Sequence, residues 1–373
     1  MSLEAVTTFT LDVFYELYAS QNSTGNVGFS GTALYILMGA IHIGLRGISY
    51  DQLTGILQEE DEQLFNTETW ENSETARKWT KFLECTYGAM TISQSLYHHG
   101  QLNAHYKLIS GDIFRLKKTK LIRRIRLRLF EKLRGSFFKN ENSVKNWGAI
   151  EESISSEDKI LFISTLFFDL NWKEEFDESK NEFWPFRNDV GEDTSVWMMS
   201  QVGRHYIYDI PENRFKILFK PFKQYKFYAA IVLPKHGLRL FHVNHLIKWD
   251  KISKYFEESI SLNVDLRIPK FTIDIAYDFV TSLKNLGVKD IFYEDTFDFR
   301  RMTNRSVFIG NIFQVVRFSL DEFGVNSGSG QDIIRPVIVN EEKFYVDRPF
   351  LFFIYSDADK LVHYSAVVNK PIY

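Results

Sequence analysis

Apolar positions recur at helical spacing over residues 6–21, and residues 32–45 (TALYILMGAIHIGL) repeat the pattern with so few polar positions that most faces should be buried. The rhythm changes beyond residue 158. Ile160 to Phe168 is a short continuous apolar run, Tyr228 to Leu233 is another, and Leu262 to Ile268 alternates before Pro269, so each predicts a strand. Residues 276–287 (AYDFVTSLKNLG) predict one more amphipathic helix with Gly287 as its C-terminal stop, and strands are predicted over 307–321 and 344–355. Helices first and strands later, without a regular βα alternation, point to an α+β chain with large antiparallel or mixed sheets. There is no internal repeat and no Pro/Gly-rich linker, so a single domain spanning 1–373 is expected.

Hydrophobic residues at 45% and charged residues at 25% are ordinary values for a folded chain and exclude wholesale disorder. The aromatic content is unusual, with 34 Phe and 18 Tyr against 8 Pro. Such rings suit the pleated surface of strands, and the same bias arises from AT-rich coding; the composition leaves both readings open. Glu59, Glu60, Asp61, Glu62, Glu68, Glu71 and Glu74 cluster in what reads as a solvated loop. From Arg115 to Arg134 the sign reverses: Arg115, Lys117, Lys118, Lys120, Arg123, Arg124, Arg126, Arg128, Lys132 and Arg134 are opposed only by Glu131. Ile122, Ile125, Leu129 and Leu133 recur there at helical spacing, so one stripe can pack while the basic face points to water. A solvated helix face accounts for the segment, and binding of a glycosaminoglycan or other polyanion is the sharper alternative.

Catalytic signatures are missing. H-E-x-x-H, G-x-S-x-G, G-x-x-x-x-G-K and G-x-G-x-x-G do not occur, so neither an enzyme nor a metal or cofactor site is expected. Gly324, Gly328 and Gly330 lie in DEFGVNSGSGQD, which lacks the following Lys and the strand-to-helix context that cradles phosphate. His242 and His245 are three apart without a third ligand and read as surface residues, and His98, His99 and His105 lack a partnered nucleophile or carboxylate. The one cysteine, Cys85, permits no internal disulfide and reads as a buried apolar filler. The N-terminus has no basic region leading into a continuous apolar stretch, and no run reaches the roughly 18 apolar residues of a membrane span. A soluble protein of the reducing cytoplasm is therefore expected, with leaderless export left open.

The stretch Phe344-Tyr345-Val346-Asp347-Arg348-Pro349-Phe350-Leu351-Phe352-Phe353-Ile354 resembles the C-terminal signature of the serpin family. Its physical reading stands beside that likeness: Pro349 sets an entry bend, and the apolar run after it suits a central strand buried on both faces. Other segments resemble the family in the right order: Asn26 to Ser30, Gly44-Leu45-Arg46-Gly47, Ile160 to Phe176 with Trp172, Met198-Met199 and Ile231 to Lys235. Ile268-Pro269-Lys270-Phe271, Leu283 to Phe292 and Asp321-Glu322-Phe323-Gly324 complete the series. The match is good over 6–57 and 158–373 and poor over 58–157, and the leaderless, AT-rich style resembles a divergent poxvirus-encoded serpin. The resemblance implies helices packed on three β-sheets, a monomer, and an exposed reactive-centre loop over about 324–346.

Serpins present that loop as bait: a target protease cleaves it and is acylated, and the loop then inserts as a strand into the main sheet, driven by stored strain. Carried onto this chain without gaps, the scissile bond falls at Ile338-Val339, a one- or two-residue slip moves it to Val337 or Val339, and the partner is a host serine or cysteine protease that prefers an apolar residue. The one basic candidate, Arg335, is followed by Pro336, which disfavours trypsin-like cleavage. The hinge comprises Glu322, Gly324, Val325, Asn326, Ser327, Gly328, Ser329 and Gly330, with Val325, Ser327, Ser329 and Gln331 turning toward the core on insertion. The family's run is alanine-rich, whereas a glycine weakens a strand by about 0.5–1 kcal/mol relative to Ala, so insertion is permitted but less driven. The polar cluster that controls sheet opening reads Ser30, Ser164 and Gln314, where the family has Asn and His at the last two positions. The leading expectation is a suicide-substrate inhibitor. The alternative is a non-inhibitory serpin that binds a partner or polyanion, for which Lys117, Lys118, Lys120, Arg123, Arg124, Arg126 and Arg128 form the basic patch.

Overall fold

A computed structural model describes residues 2–88, 90–122, 125, 128–129, 147–294, 298–326 and 342–373, with the side chains of 147–150, 243 and 244 left aside. The N-terminal half is largely helical. It runs through α1 (Leu3–Ser20), β1 (Val27–Phe29), α2 (Gly31–His42), α3 (Gly47–Leu57), α4 (Glu74–Tyr87), β2 (Met90–His98), α5 (Ala104–Asp112), β3 (Lys117–Lys120) and α6 (Trp147–Ser155). Every residue of α2 is buried, as its nearly unbroken apolar run requires. Ser73 starts α4 by accepting a hydrogen bond from the Ala76 amide at 3.1 Å.

The second half is mostly strands: β4 (Lys159–Phe168), β5 (Leu170–Asn171), β6 (Glu182–Arg187), β7 (Asp193–Tyr208), β8 (Phe215–Pro221) and β9 (Phe227–Pro234). Short helices α7 (Leu240–Asn244) and α8 (Ile252–Glu257) precede β10 (Ile260–Pro269), β11 (Phe271–Asp278) and α9 (Val280–Asn285). The chain ends with β12 (Phe308–Leu320), β13 (Gly324–Val325), β14 (Glu342–Tyr345), β15 (Phe350–Ser356) and β16 (Leu361–Val368).

Among the described residues nine strands form one sheet, in the order β1-β16-β15-β9-β8-β7-β10-β14 with β6 on β7. Seven form another, in the order β3-β2-β4-β12-β13-β5 with β11 on β12. The family resemblance implied three sheets. Hydrogen bonding joins the strands into two networks because the 16-residue β7 keeps β10 on one edge from Met198 to Ile207 while its other edge passes from β6 at Asp193–Met198 to β8 at Tyr206–Tyr208.

The chain's contacts gather into two compact units, Met1–Val13 with Thr32–Phe167 and Asp274–Val316, and Phe14–Gly31 with Phe168–Ile273 and Arg317–Tyr373. Every boundary between them falls inside a helix or strand, and none in a linker. The first unit has a cluster of Leu121, Leu129, Ile154, Leu161, Ile163, Phe313 and Val315, with Ile125 packed against it. The second is rich in strand-borne rings: Phe318 stacks on Tyr364 at 4.4 Å and meets Phe352 edge-on at 5.3 Å. That is the aromatic core that the composition suggested.

Several expectations need correction. The helix expected at 276–287 begins only at Val280, because Ala276 to Asp278 still belong to strand β11, and the Asp278 carboxylate caps the Val280 amide at 3.2 Å. Gly287 does end it, at φ 99°. The strand expected over 344–355 is two strands: β14 pairs in parallel with β10, and β15 lies between β16 and β9, with the break at Asp347-Arg348-Pro349. All of β15 is buried, as a central strand should be. Lys117 to Lys120 form a strand beside β2, not part of a basic helix, and Ile122 is exposed instead of joining the apolar stripe. The acidic loop is solvated only in part, since Asp61 is fully buried. Its carboxylate accepts from Trp79 Nε1 at 2.9 Å and pairs with His42 Nδ1 at 2.8 Å. Cys85 is half-buried.

Candidate functional site: the hinge and the strands it joins

The turn that follows β12 is held from three sides. Asp321 accepts from the amides of Phe323 at 2.9 Å and Gly324 at 3.1 Å, a local closure typical of Asp in turns. Burial raises the Asp321 carboxyl above its ordinary range, and those two amides pull the other way. The buried Trp172 indole, stacked on Phe222 at 4.6 Å, donates to the Asp321 carbonyl at 3.0 Å, and its own amide donates to Phe323 at 2.8 Å. Glu322, only 2% exposed, pairs with Lys270 at 2.9 Å and accepts from Asn181 Nδ2. Burial pushes the Lys270 ammonium down, but the bond and charge of Glu322 outweigh it and leave its pKa raised.

Past the turn the hinge enters the sheet. Gly324 adopts φ 145°, and a Cβ there would lie 1.9 Å from the Leu170 carbonyl oxygen, so the position excludes every other residue. Val325 is fully buried and pairs antiparallel with Leu320 of β12 on one side and Leu170 of β5 on the other. Asn326 closes this rung in the left-handed region, at φ 51°. Further back, β4 and β12 are direct parallel neighbours from Phe308↔Lys159 to Val316↔Leu166, with one irregularity between Ile309 and Asn311.

Of the polar cluster read from the sequence, Ser164 and Gln314 face each other in that parallel register, and both are fully buried. The Ser164 hydroxyl has no hydrogen-bond partner among the described residues. Ser30 is also fully buried and belongs to the second compact unit. Ser327, Gly328, Ser329, Gly330, Gln331 and the Ile338-Val339 bond lie outside the described residues, as do Arg123, Arg124 and Arg126 of the basic patch. Lys117, Lys120 and Arg128 are exposed, whereas Lys118 is committed to the Lys107 carbonyl at 2.7 Å, and burial lowers its pKa. His242 and His245 are exposed as expected, and no group of three metal-ligating side chains occurs among the described residues.

Sequence reasoning missed Asn181 and the bonding of Asn326. Lys270 stands in the Ile268-Pro269-Lys270-Phe271 motif, but nothing local joins it to Glu322. The charge pairing of two residues so far apart in the chain has no periodic signal to find.

The family model for serpins, serine protease inhibitors, matches residues 4–371, so the chain belongs to the serpin family. Serpin B11 of Mus musculus is 23% identical, covering 96% of each chain, and the leukocyte elastase inhibitor of Xenopus tropicalis is 22% identical, covering 98% of each. Among solved structures, uncleaved ovalbumin matches with a TM-score of 0.82 at 17% identity over 100% of both chains. Native protease nexin-1 with heparin matches with a TM-score of 0.79 at 18% identity over 99% of both. These structural likenesses establish the serpin fold.

Proposed function

We propose that the protein is a suicide-substrate inhibitor, working as one domain and as a monomer, of a serine or cysteine protease that prefers an apolar residue, with Ile338 as bait and Val339 after the cut. The observation that supports this reading is the rung formed by Val325 between Leu320 and Leu170. It runs antiparallel to β12, the direction a following segment must keep to become a new strand between the parallel pair β4 and β12. A strand antiparallel to both neighbours offers an N–H and a C=O to each edge, so every group uncovered when β4 and β12 separate can find a partner. One ladder is exchanged for two. At a net of about 0.5–1.5 kcal/mol for each added hydrogen bond, insertion of several residues is a sufficient driving force.

The resemblance to a leukocyte elastase inhibitor and the apolar bait both favour an elastase-like target. A poxvirus source, acting on a host protease in the host cytoplasm, belongs to the same proposal and is supported by the AT-rich residue usage. The test is a panel of serine and cysteine proteases. An SDS-resistant adduct with an apolar-preferring protease is expected, together with a clipped chain that melts above the intact one. Clipping without adduct, and an unchanged melting temperature, would favour the alternative of a non-inhibitory serpin that binds a partner or polyanion.

A further inference from the structure

We propose that Asn326 is a latch that holds the hinge one rung into the sheet and sets how readily the rest of the loop follows. The consequence rests on the inhibitor reading; the geometry does not.

The Asn326 carboxamide plugs the fork where two strands part. The last register pair of β4 and β12 is Leu166↔Val316. Just beyond it, Asn326 Nδ2 donates to the carbonyl of Phe168 on β4 and to that of Arg317 on β12, each at 3.1 Å. Its Oδ1 accepts from the Ser319 amide at 3.0 Å, and its own amide donates to the Ser319 carbonyl at 2.9 Å. One side chain thus satisfies a carbonyl on each strand, groups that would otherwise face an opening gap.

The backbone makes the same point. At φ 51° Asn326 sits in the left-handed region, which Asn tolerates better than most residues and which ends the extended run begun at Gly324. A strand cannot grow through that conformation. For the next residue to enter, Asn326 must swing to extended dihedrals, and its carboxamide must release both strands at once. Val325 before it is fully buried and its side chain cannot hydrogen-bond, so among the described residues past the turn it is the Asn326 side chain that bonds to β4 and β12.

Two substitutions separate the side chain from the backbone. Asn326→Gly keeps the left-handed conformation and removes only the plug. Asn326→Asp keeps size and the acceptor for Ser319 but sets a carboxylate against two carbonyl oxygens. In the intact, unclipped chain, amide hydrogen exchange at residues 165–168 and 316–320 should rise about 30-fold in both variants, the equivalent of the two ordinary hydrogen bonds to the Phe168 and Arg317 carbonyls that both variants lose. Uptake of a synthetic peptide with the sequence of residues 325–338 should accelerate in parallel, while exchange in β15 and β16 stays unchanged. Exchange and peptide uptake equal to the parent chain in both variants would overturn the latch and leave the inhibitor reading standing. Raised exchange in a chain whose clipped form gains no stability would uphold the latch and remove the inhibitor reading.

Discussion

Replacing Glu322 by Ala should be among the most damaging single changes at the hinge, for a reason that can be worked from the geometry. The carboxylate is 2% exposed, the Lys270 side chain is 15% exposed, and they meet at 2.9 Å. Removing one partner of a buried pair leaves a desolvated charge, at a cost of about 3–5 kcal/mol. Lys270 keeps some water access and its face-on contact with the Tyr373 ring at 4.2 Å, which places the expected loss at about 3 kcal/mol. Asn181 loses an acceptor as well. Glu322→Gln keeps the shape and an acceptor and should cost less, while Lys270→Met in the Glu322→Ala background should recover part of the loss, because the stranded ammonium is gone. Urea unfolding of the parent, both single variants and the double variant forms a closed cycle, and a coupling of about 1–3 kcal/mol is expected. If the Glu322→Ala chain unfolds within about 0.5 kcal/mol of the parent, the range of an ordinary surface change, the pair does not anchor the hinge and this reasoning fails.

Gly324→Ala would force a Cβ onto the Leu170 carbonyl, so β13 should leave β5, with faster exchange at the hinge amides, a stability loss of roughly 1–3 kcal/mol from strain and a correspondingly lower melting temperature; an unshifted melt would contradict the geometry. Asp61→Ala strips a partner from both His42 and Trp79, and two orphaned buried donors predict a loss of about 3–5 kcal/mol in urea unfolding, where a loss under about 1 kcal/mol would count against it. Burial lowers the fully buried His363 ring from 6.5 to about 4. Its neutral form is the native one, so this contribution to stability is complete above pH 6.5 and is lost as the pH falls toward about 4. The stability of the parent minus that of His363→Gln should therefore drop by about 3 kcal/mol between pH 7 and pH 4, and a pH-independent difference would refute the assignment.

Much of this molecule is legible along the chain. The apolar density of α2, the unbroken runs of β4 and β15, and the Gly287 stop follow from local spacing, because burial on one face or on both writes a period into the residues themselves. The ordered family motifs, ending in the segment around Pro349, pointed to the fold without any long-range information. Pairing is different in kind. Whether residues 276–278 join a helix or a strand, or whether Lys117 to Lys120 lie on a helix face or a sheet, depends on a neighbouring strand that no local window contains. The same holds for the hinge. The run Gly324-Val325-Asn326 reads as flexible and weakly strand-forming, yet Leu170 makes glycine obligatory, and the carbonyls of Phe168 and Arg317 turn an asparagine into a clasp. Polar groups are satisfied by whatever the fold brings within hydrogen-bond reach, so their roles emerge only once distant segments have met.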